Sequence, residues 1–120
     1  MSTDLRYRIL FVRNAAISVR FFVDQLGYKL FHHIILGGKV CPLLENSSKE
    51  LIGLIEESDK DDCINILNTD DCLRDYCMFK QREVQALGKP QYQAEGLAVA
   101  FNDPSGTRFI LLEKRDYTNV

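Results

Sequence analysis

The chain has 120 residues, 46% of them apolar and 27% charged, with a formal net charge of −2; this composition fits one folded globular domain over residues 1–120 and excludes a disordered or fibrous chain. Its 15 Lys and Arg residues are scattered, so the basic stripe that neutralises phosphates is missing and nucleic acid is excluded as a partner. Apolar runs such as Ile34-Ile35-Leu36 and Phe109-Ile110-Leu111-Leu112 are far too short for a bilayer and no signal-peptide pattern follows Met1, so a cytoplasmic protein without membrane partners is expected.

The first element reads as a strand. Residues 7–13 are rich in β-formers, and Asn14 follows as a side chain suited to capping a helix. Ile17, Phe21, Phe22 and Leu26 then recur at helical spacing, and Gly27 stands where a helix takes a left-handed terminating residue. Residues 28–36 and 39–44 flank Gly37-Gly38, a pair that accepts positive φ at both central positions of a tight hairpin. Glu45-Asn46-Ser47-Ser48 reads as a turn and Leu51-Ile52-Gly53-Leu54-Ile55 as a short strand, which completes a βαβββ module over about residues 5–57.

The polar stretch 58–62 reads as a linker. Over about residues 63–114 the same order returns. A strand runs from Cys63 to Asn68, Asp70 or Asp71 caps a helix, and that helix passes through Leu73, Tyr76, Cys77, Val84 and Leu87 to Gly88. A closing hairpin takes 97–101 through Asn102-Asp103-Pro104-Ser105-Gly106 into 107–113. Asn14 superposes on Asp71 and Glu56 on Glu113, each 57 positions apart, whereas Leu26-Gly27 meets Leu87-Gly88 at 61. The surplus predicts a second helix longer by about one turn. Cys41, Cys63, Cys72 and Cys77 form no Cys-x-x-Cys pair, which favours reduced thiols acting as small buried hydrophobes over a zinc site.

Two stretches carry more specific information. Residues 12–27, Val-Arg-Asn-Ala-Ala-Ile-Ser-Val-Arg-Phe-Phe-Val-Asp-Gln-Leu-Gly, follow V-x-D-x-x-x-S-x-x-F-Y-x-x-x-L-G, with Asn14 for the Asp and Phe22 for the Tyr. Residues 101–113, Phe-Asn-Asp-Pro-Ser-Gly-Thr-Arg-Phe-Ile-Leu-Leu-Glu, follow F-x-D-P-x-G-x-x-x-x-L-x-E. Through these residues the chain resembles the glyoxalase / bleomycin-resistance protein / extradiol-dioxygenase (vicinal oxygen chelate) superfamily. The resemblance implies an α+β fold in which two tandem βαβββ modules form a curved mixed sheet around a cleft, with helices on the outer faces. It also implies a small-molecule ligand on the concave side and, commonly, a homodimer.

In metal-dependent members such as glyoxalase I and the dioxygenases, His, Gln or Glu side chains on the first and last strands of the modules hold a divalent ion. Carried over by position, these places fall on Tyr7, on Ile64 (or Cys63 if Asp70 is the cap), on Ile110 and, through the repeat, on Gly53. A tyrosine ligates only after losing a proton of pKa about 10, and Ile and Gly offer no side-chain donor. The resemblance therefore points to the branch without a cofactor, a metal-free binding protein of the bleomycin-resistance type.

Strand alternation puts Tyr7, Ile9, Phe11, Ile110 and Leu112 on the cleft side, with Ile64 and His33 as further lining. Such a surface suits an apolar or aromatic ligand, since burial is worth about 25 cal/mol per Å². The same residues equally suit a cleft filled by its own side chains or a dimer contact. The alternative function is a metal-dependent enzyme, a glyoxalase-like lyase or isomerase or a dioxygenase, with a divalent ion on an unorthodox set. That set would comprise His32, Glu56 and Glu113, with His33, Glu45 and Cys63 as further members. His32 and His33 are adjacent on one strand, so only one of them faces the cleft. Parity sets Glu113 on the side of Phe109 and Leu111, away from Ile110 and Leu112, at a strand end where a carboxylate reaches water. A third reading is an interaction module whose sheet edge mediates dimerisation. No Ser-His-Asp order, phosphate-binding Gly loop or dinucleotide fingerprint is present.

Overall fold

β1, Tyr7–Val12, buries Leu10 and Val12 on one side and leaves Tyr7, Ile9 and Phe11 half-buried on the other, as a two-residue period requires. These facts come from a computed structural model, which describes residues 7–57 and 65–114. The chain divides into two compact units, Met1–Asp61 and Asp62–Val120. No helix among the described residues is long and apolar enough to cross a membrane.

In unit 1 the chain leaves β1 at Asn14, whose extended backbone (φ −145°) lets its Oδ1 accept the Ile17 amide at 3.0 Å and start helix α1, Ala15–Asp24. The buried stripe of α1 is Ser18, Phe21 and Phe22, continued by Leu26. Ile17, expected on that stripe, is 40% exposed; with Phe21 and Phe22 facing the sheet, the inner position one turn earlier is 18, where small Ser18 packs. Gly27 (φ 80°) ends the helix, and the Tyr28 amide reaches back to the Phe22 carbonyl at 3.0 Å. β2 (Lys29–Leu36) and β3 (Lys39–Glu45) pair across Gly37 and Gly38, both at positive φ, and β4 (Leu51–Glu56) returns between β3 and β1. The strand order is β1-β4-β3-β2, with β1 and β4 parallel and the other pairs antiparallel.

Unit 2 repeats this topology. β5 (Asn65–Asn68), α2 (Cys72–Gln81), β6 (Gln91–Gln93), β7 (Gly96–Asn102) and β8 (Arg108–Lys114) form a sheet of order β5-β8-β7-β6 with β5 and β8 parallel. The repeat holds to the residue. Arg8 opposite Ile52 in unit 1 becomes Asn65 opposite Phe109 in unit 2, the 57-position offset of the caps. Asp71 caps α2 by accepting the Arg74 amide at 3.0 Å, while Asp70 pairs with the Arg74 guanidinium at 2.8 Å. That hydrogen bond and the nearby Asp75 raise the Arg74 pKa.

The second helix is not longer. α2 spans 10 residues, as α1 does. It stops because Glu83 takes the left-handed conformation (φ 56°), its amide reaching Lys80 and the Val84 amide reaching Phe79 at 3.1 Å, a Schellman-type end built without glycine. Gly88 is not the terminator. The surplus residues instead run along β7, where Gly88 donates to Ala100 at 2.8 Å and Gln85 accepts from Asn102 at 2.9 Å. The buried face of α2 is Cys72 and Phe79, so Leu73 and Cys77, expected inside, are exposed. Cys41 and Cys72 are buried, and Cys63 lies outside the described residues.

The closing turns are a further repeated device. In unit 2 the buried Asp103 carboxylate accepts the amides of Ser105 (2.9 Å) and Thr107 (3.0 Å), and Gly106 sits at φ 90°. In unit 1 Asn46 accepts the amides of Ser48 and Glu50, both at 2.9 Å, and Lys49 occupies the left-handed position at φ 66°.

Candidate ligand-binding faces

Each sheet has one face under its helix and one without. In unit 1 the helix face carries Leu10, Val12, Leu44, Ile52 and Leu54, all buried. The helix-free face carries Tyr7, Ile9, Phe11, Leu43, Gly53 and Ile55, because residues paired across a sheet share a side. Glycine at position 53 shapes that face. A Cβ there would lie 2.9 Å from Ile9 Cδ1, 3.3 Å from Leu43 Cδ2 and 3.8 Å from Tyr7 Cδ2, so these three side chains close over the missing one.

In unit 2 the helix face holds Leu67, Val99, Phe101, Phe109 and Leu111, with Phe101 5.0 Å from Phe79 and 5.6 Å from Phe109 between ring centroids. Ile66, Ala98, Ala100, Ile110 and Leu112 lie on the helix-free face. Tyr7, Ile9, Phe11, Ile110 and Leu112 thus stand on the helix-free sides of their sheets, and Ile64 lies outside the described residues. Leu43, Gly53 and Ile66 join them; the alternation of residues 39–45 and the register with β1 were the signals that point to the first two.

The two repeat-related glutamates serve the helices. Glu56 Oε1 accepts the Ala15 amide at 2.9 Å, and Glu113 Oε1 accepts the Cys72 amide at 2.7 Å. Each carboxylate satisfies an orphan donor at the first residue of a helix, where the helix dipole favours negative charge. Glu56 is exposed, but Glu113 is only 5% exposed. Strand parity puts it under the helix, and a bond to a helix amide is what makes that burial tolerable, where water had been expected.

The histidines separate across the sheet. His33 pairs with Pro42 and lines a shallow groove of about 570 Å³ beside α1 with Ala16, Val19, Val23, Val40 and Pro42, so it lies on the helix side, not on the face of Tyr7 and Ile9 where a cleft lining would place it. His32 pairs with Leu43 and shares the helix-free face. The bulge between Leu30 and His32 displaces the strand by one residue there, and such a slip decides which histidine faces which way.

These positions do not fit a divalent ion. His32 and Glu56 lie on opposite faces of one sheet, which breaks the set His32, Glu56 and Glu113, and Glu113 is bound to the α2 amide. At the places to which the resemblance carries the metal ligands stand Tyr7, Gly53 and Ile110, of which only Tyr7 has a side-chain donor, and Ile64 and Cys63 lie outside the described residues. Glu45 pairs with Lys49 at 3.6 Å. Among the described residues no three His, Cys, Asp or Glu side chains are grouped to hold a metal.

No family model matches the sequence, and no curated protein matches it. Solved structures do. The antibiotic binding protein TnmS3 from Streptomyces sp. CB03234 is 17% identical, with a TM-score of 0.71 over 96% of this chain and 100% of its own. A member of the glyoxalase/bleomycin resistance protein/dioxygenase superfamily from Sphaerobacter thermophilus DSM 20745 is 20% identical, with a TM-score of 0.65 over 94% and 98%. Lactoylglutathione lyase from Agrobacterium tumefaciens is 13% identical, with a TM-score of 0.64 over 93% and 94%. One fold here houses a binding protein and a lyase, so activity must be argued from side chains. Over nearly its whole length the chain has the fold of the glyoxalase/bleomycin resistance protein/dioxygenase superfamily.

Proposed function

We propose that this chain is a metal-free small-molecule-binding protein that holds an apolar or aromatic ligand against the helix-free faces of its sheets. One observation carries the reading. Directly beneath the helices Leu10, Val12, Ile52, Leu67, Phe101 and Phe109 are buried, while Tyr7, Ile9, Phe11, Ile55, Ile66 and Ile110 on the other faces keep part of their apolar surface uncovered. A ligand that covers such surface gains about 25 cal/mol per Å², and the Tyr7 phenol supplies a polar group to orient it. Likeness to an antibiotic binding protein supports the same direction. In this reading the protein works as a homodimer in the cytoplasm.

The test is thermal unfolding of the full chain against a panel of planar aromatic compounds, with and without EDTA. A binder at 100 times its Kd should stabilise the protein by about 2.7 kcal/mol, the gain should survive EDTA, and Tyr7→Ala and Phe11→Ala should each weaken it. Divalent metal retained stoichiometrically after purification, with a melting temperature that falls in EDTA, would overturn the reading in favour of a metal-dependent lyase or dioxygenase.

A further inference from the structure

The repeat supplies an internal control for the groove beside α1. At the offset of 57, Ala16, Val19 and Val23 on the groove flank of α1 correspond to Leu73, Tyr76 and Lys80 on α2, and Val40 and Pro42 on β3 to Leu97 and Val99 on β7. Unit 2 occupies the helix places with an aromatic ring and an ammonium group, the Lys80 Nζ lying 5.5 Å from the centre of the Tyr76 ring. Its strand residues Leu97 and Val99 are each 1% exposed. Unit 1 has smaller side chains on the helix flank. Val40 is 65% exposed, and a groove of about 570 Å³ remains, within the range of about 300–1,000 Å³ usual for small-molecule sites.

We propose that this groove binds a free α-amino acid with an apolar or aromatic side chain, at a site separate from the helix-free faces. The charges along the groove complement both ends of such a molecule. Asp24 is the last residue of α1, where the helix dipole is negative, and α1 has no basic residue in its last turn, so both the carboxylate and the dipole favour an ammonium group there. Arg20, one turn earlier, offers a guanidinium to a carboxylate, and His33 on the strand wall offers a ring N–H. Arg20 and Asp24 do not satisfy each other. Among the described residues neither forms an ion pair, and cation before anion is the weaker order at i,i+4. With its charged groups set between these two, the ligand lays its side chain on Val19, Val23, Val40 and Pro42, where burial of apolar surface favours it. It thereby supplies to unit 1 the ring and ammonium that Tyr76 and Lys80 supply to unit 2.

The test is an NMR titration of the isotope-labelled full chain with L-phenylalanine up to its solubility limit. Backbone amide signals of Ala16, Val19, Val23, His33 and Val40 should shift saturably. N-acetyl-L-phenylalanine lacks the ammonium and L-phenylalaninamide lacks the carboxylate, and each should bind about threefold or more weakly. Asp24→Asn should weaken L-phenylalanine to the same degree and leave N-acetyl-L-phenylalanine as it was, which isolates the contact with the ammonium. Ala16→Leu, which puts the unit 2 residue on the flank, should raise the Kd by about tenfold or more. The wild-type titration with the two analogues decides the matter even where a variant does not fold. No saturable shift at the groove residues would overturn the proposal, as would analogues that bind as tightly as the amino acid. Shifts confined to Tyr7, Ile9 and Phe11 would overturn it too, and would give the amino acid to the helix-free face instead.

Discussion

Unit 1 packs its helix on its sheet with aromatic residues from the helix and its exit, Phe21, Phe22 and Tyr28, the last two meeting edge to face at 5.0 Å. Unit 2 buries one helix aromatic, Phe79, and takes the other two from the sheet, Phe101 and Phe109. At the places of Phe101 and Phe109 unit 1 has Leu44 and Ile52. The frame is constant and the filling is not: cap, glutamate and closing turn recur at one offset, while apolar volume moves between helix and strand. A hydrogen bond to a helix terminus demands one group at one point, whereas a core demands only that the space be filled.

The largest effect should come from that redistribution. Phe101→Ala removes the ring between Phe79 and Phe109 and should cost about 4 kcal/mol in urea unfolding, against about 3 kcal/mol for Leu44→Ala at the matching place. Equal or reversed costs would mean that unit 2 is not centred on Phe101. Next come the glutamates. Glu113→Ala strands the buried Cys72 amide and should cost about 2 kcal/mol, while Glu56→Ala, where water replaces the carboxylate, should cost about 0.5 kcal/mol. Restoration of part of the first loss by Glu113→Gln would separate the acceptor from the charge.

The smallest effect concerns the closing turns. Lys49 holds a conformation that unit 2 gives to Gly106. Relief of a left-handed non-glycine residue is worth about 1 kcal/mol or more, offset in part by the extra freedom of glycine in the unfolded chain, so Lys49→Gly should stabilise by about 0.5 kcal/mol. The lost contact with Glu45 takes little away, because the Lys49 side chain is 80% exposed. The converse, Gly106→Lys, should destabilise by about 1 kcal/mol; a neutral result in both would show that the turn tolerates either residue without strain.

The caps, the hairpin at Gly37-Gly38, the βαβββ order of elements along the chain and the offset between halves were legible because each depends on residues near in sequence or on simple alternation. The helix-free positions of Tyr7, Ile9, Phe11, Ile110 and Leu112 followed from the same parity. The sides taken by His32 and His33 did not, because a bulge leaves no mark in the residues it displaces. The end of α2 was hidden for a similar reason. Glu83 carries no propensity for a left-handed backbone, and Gly88, which does, was recruited to lie against Ala100.

Local chemistry, written in Asn14, Asp71, Gly37-Gly38 and the D-P-x-G turn, determined which elements form and in what order, since caps and turns are satisfied within a few residues. Tertiary structure alone decided that Glu56 and Glu113 belong to helices, that the segment of Gln85 and Gly88 runs along β7, and which histidine shares a face with Tyr7. Those outcomes depend on what arrives from about 40 residues away, as the Cys72 amide does at Glu113, and a chain's local preferences hold no record of it.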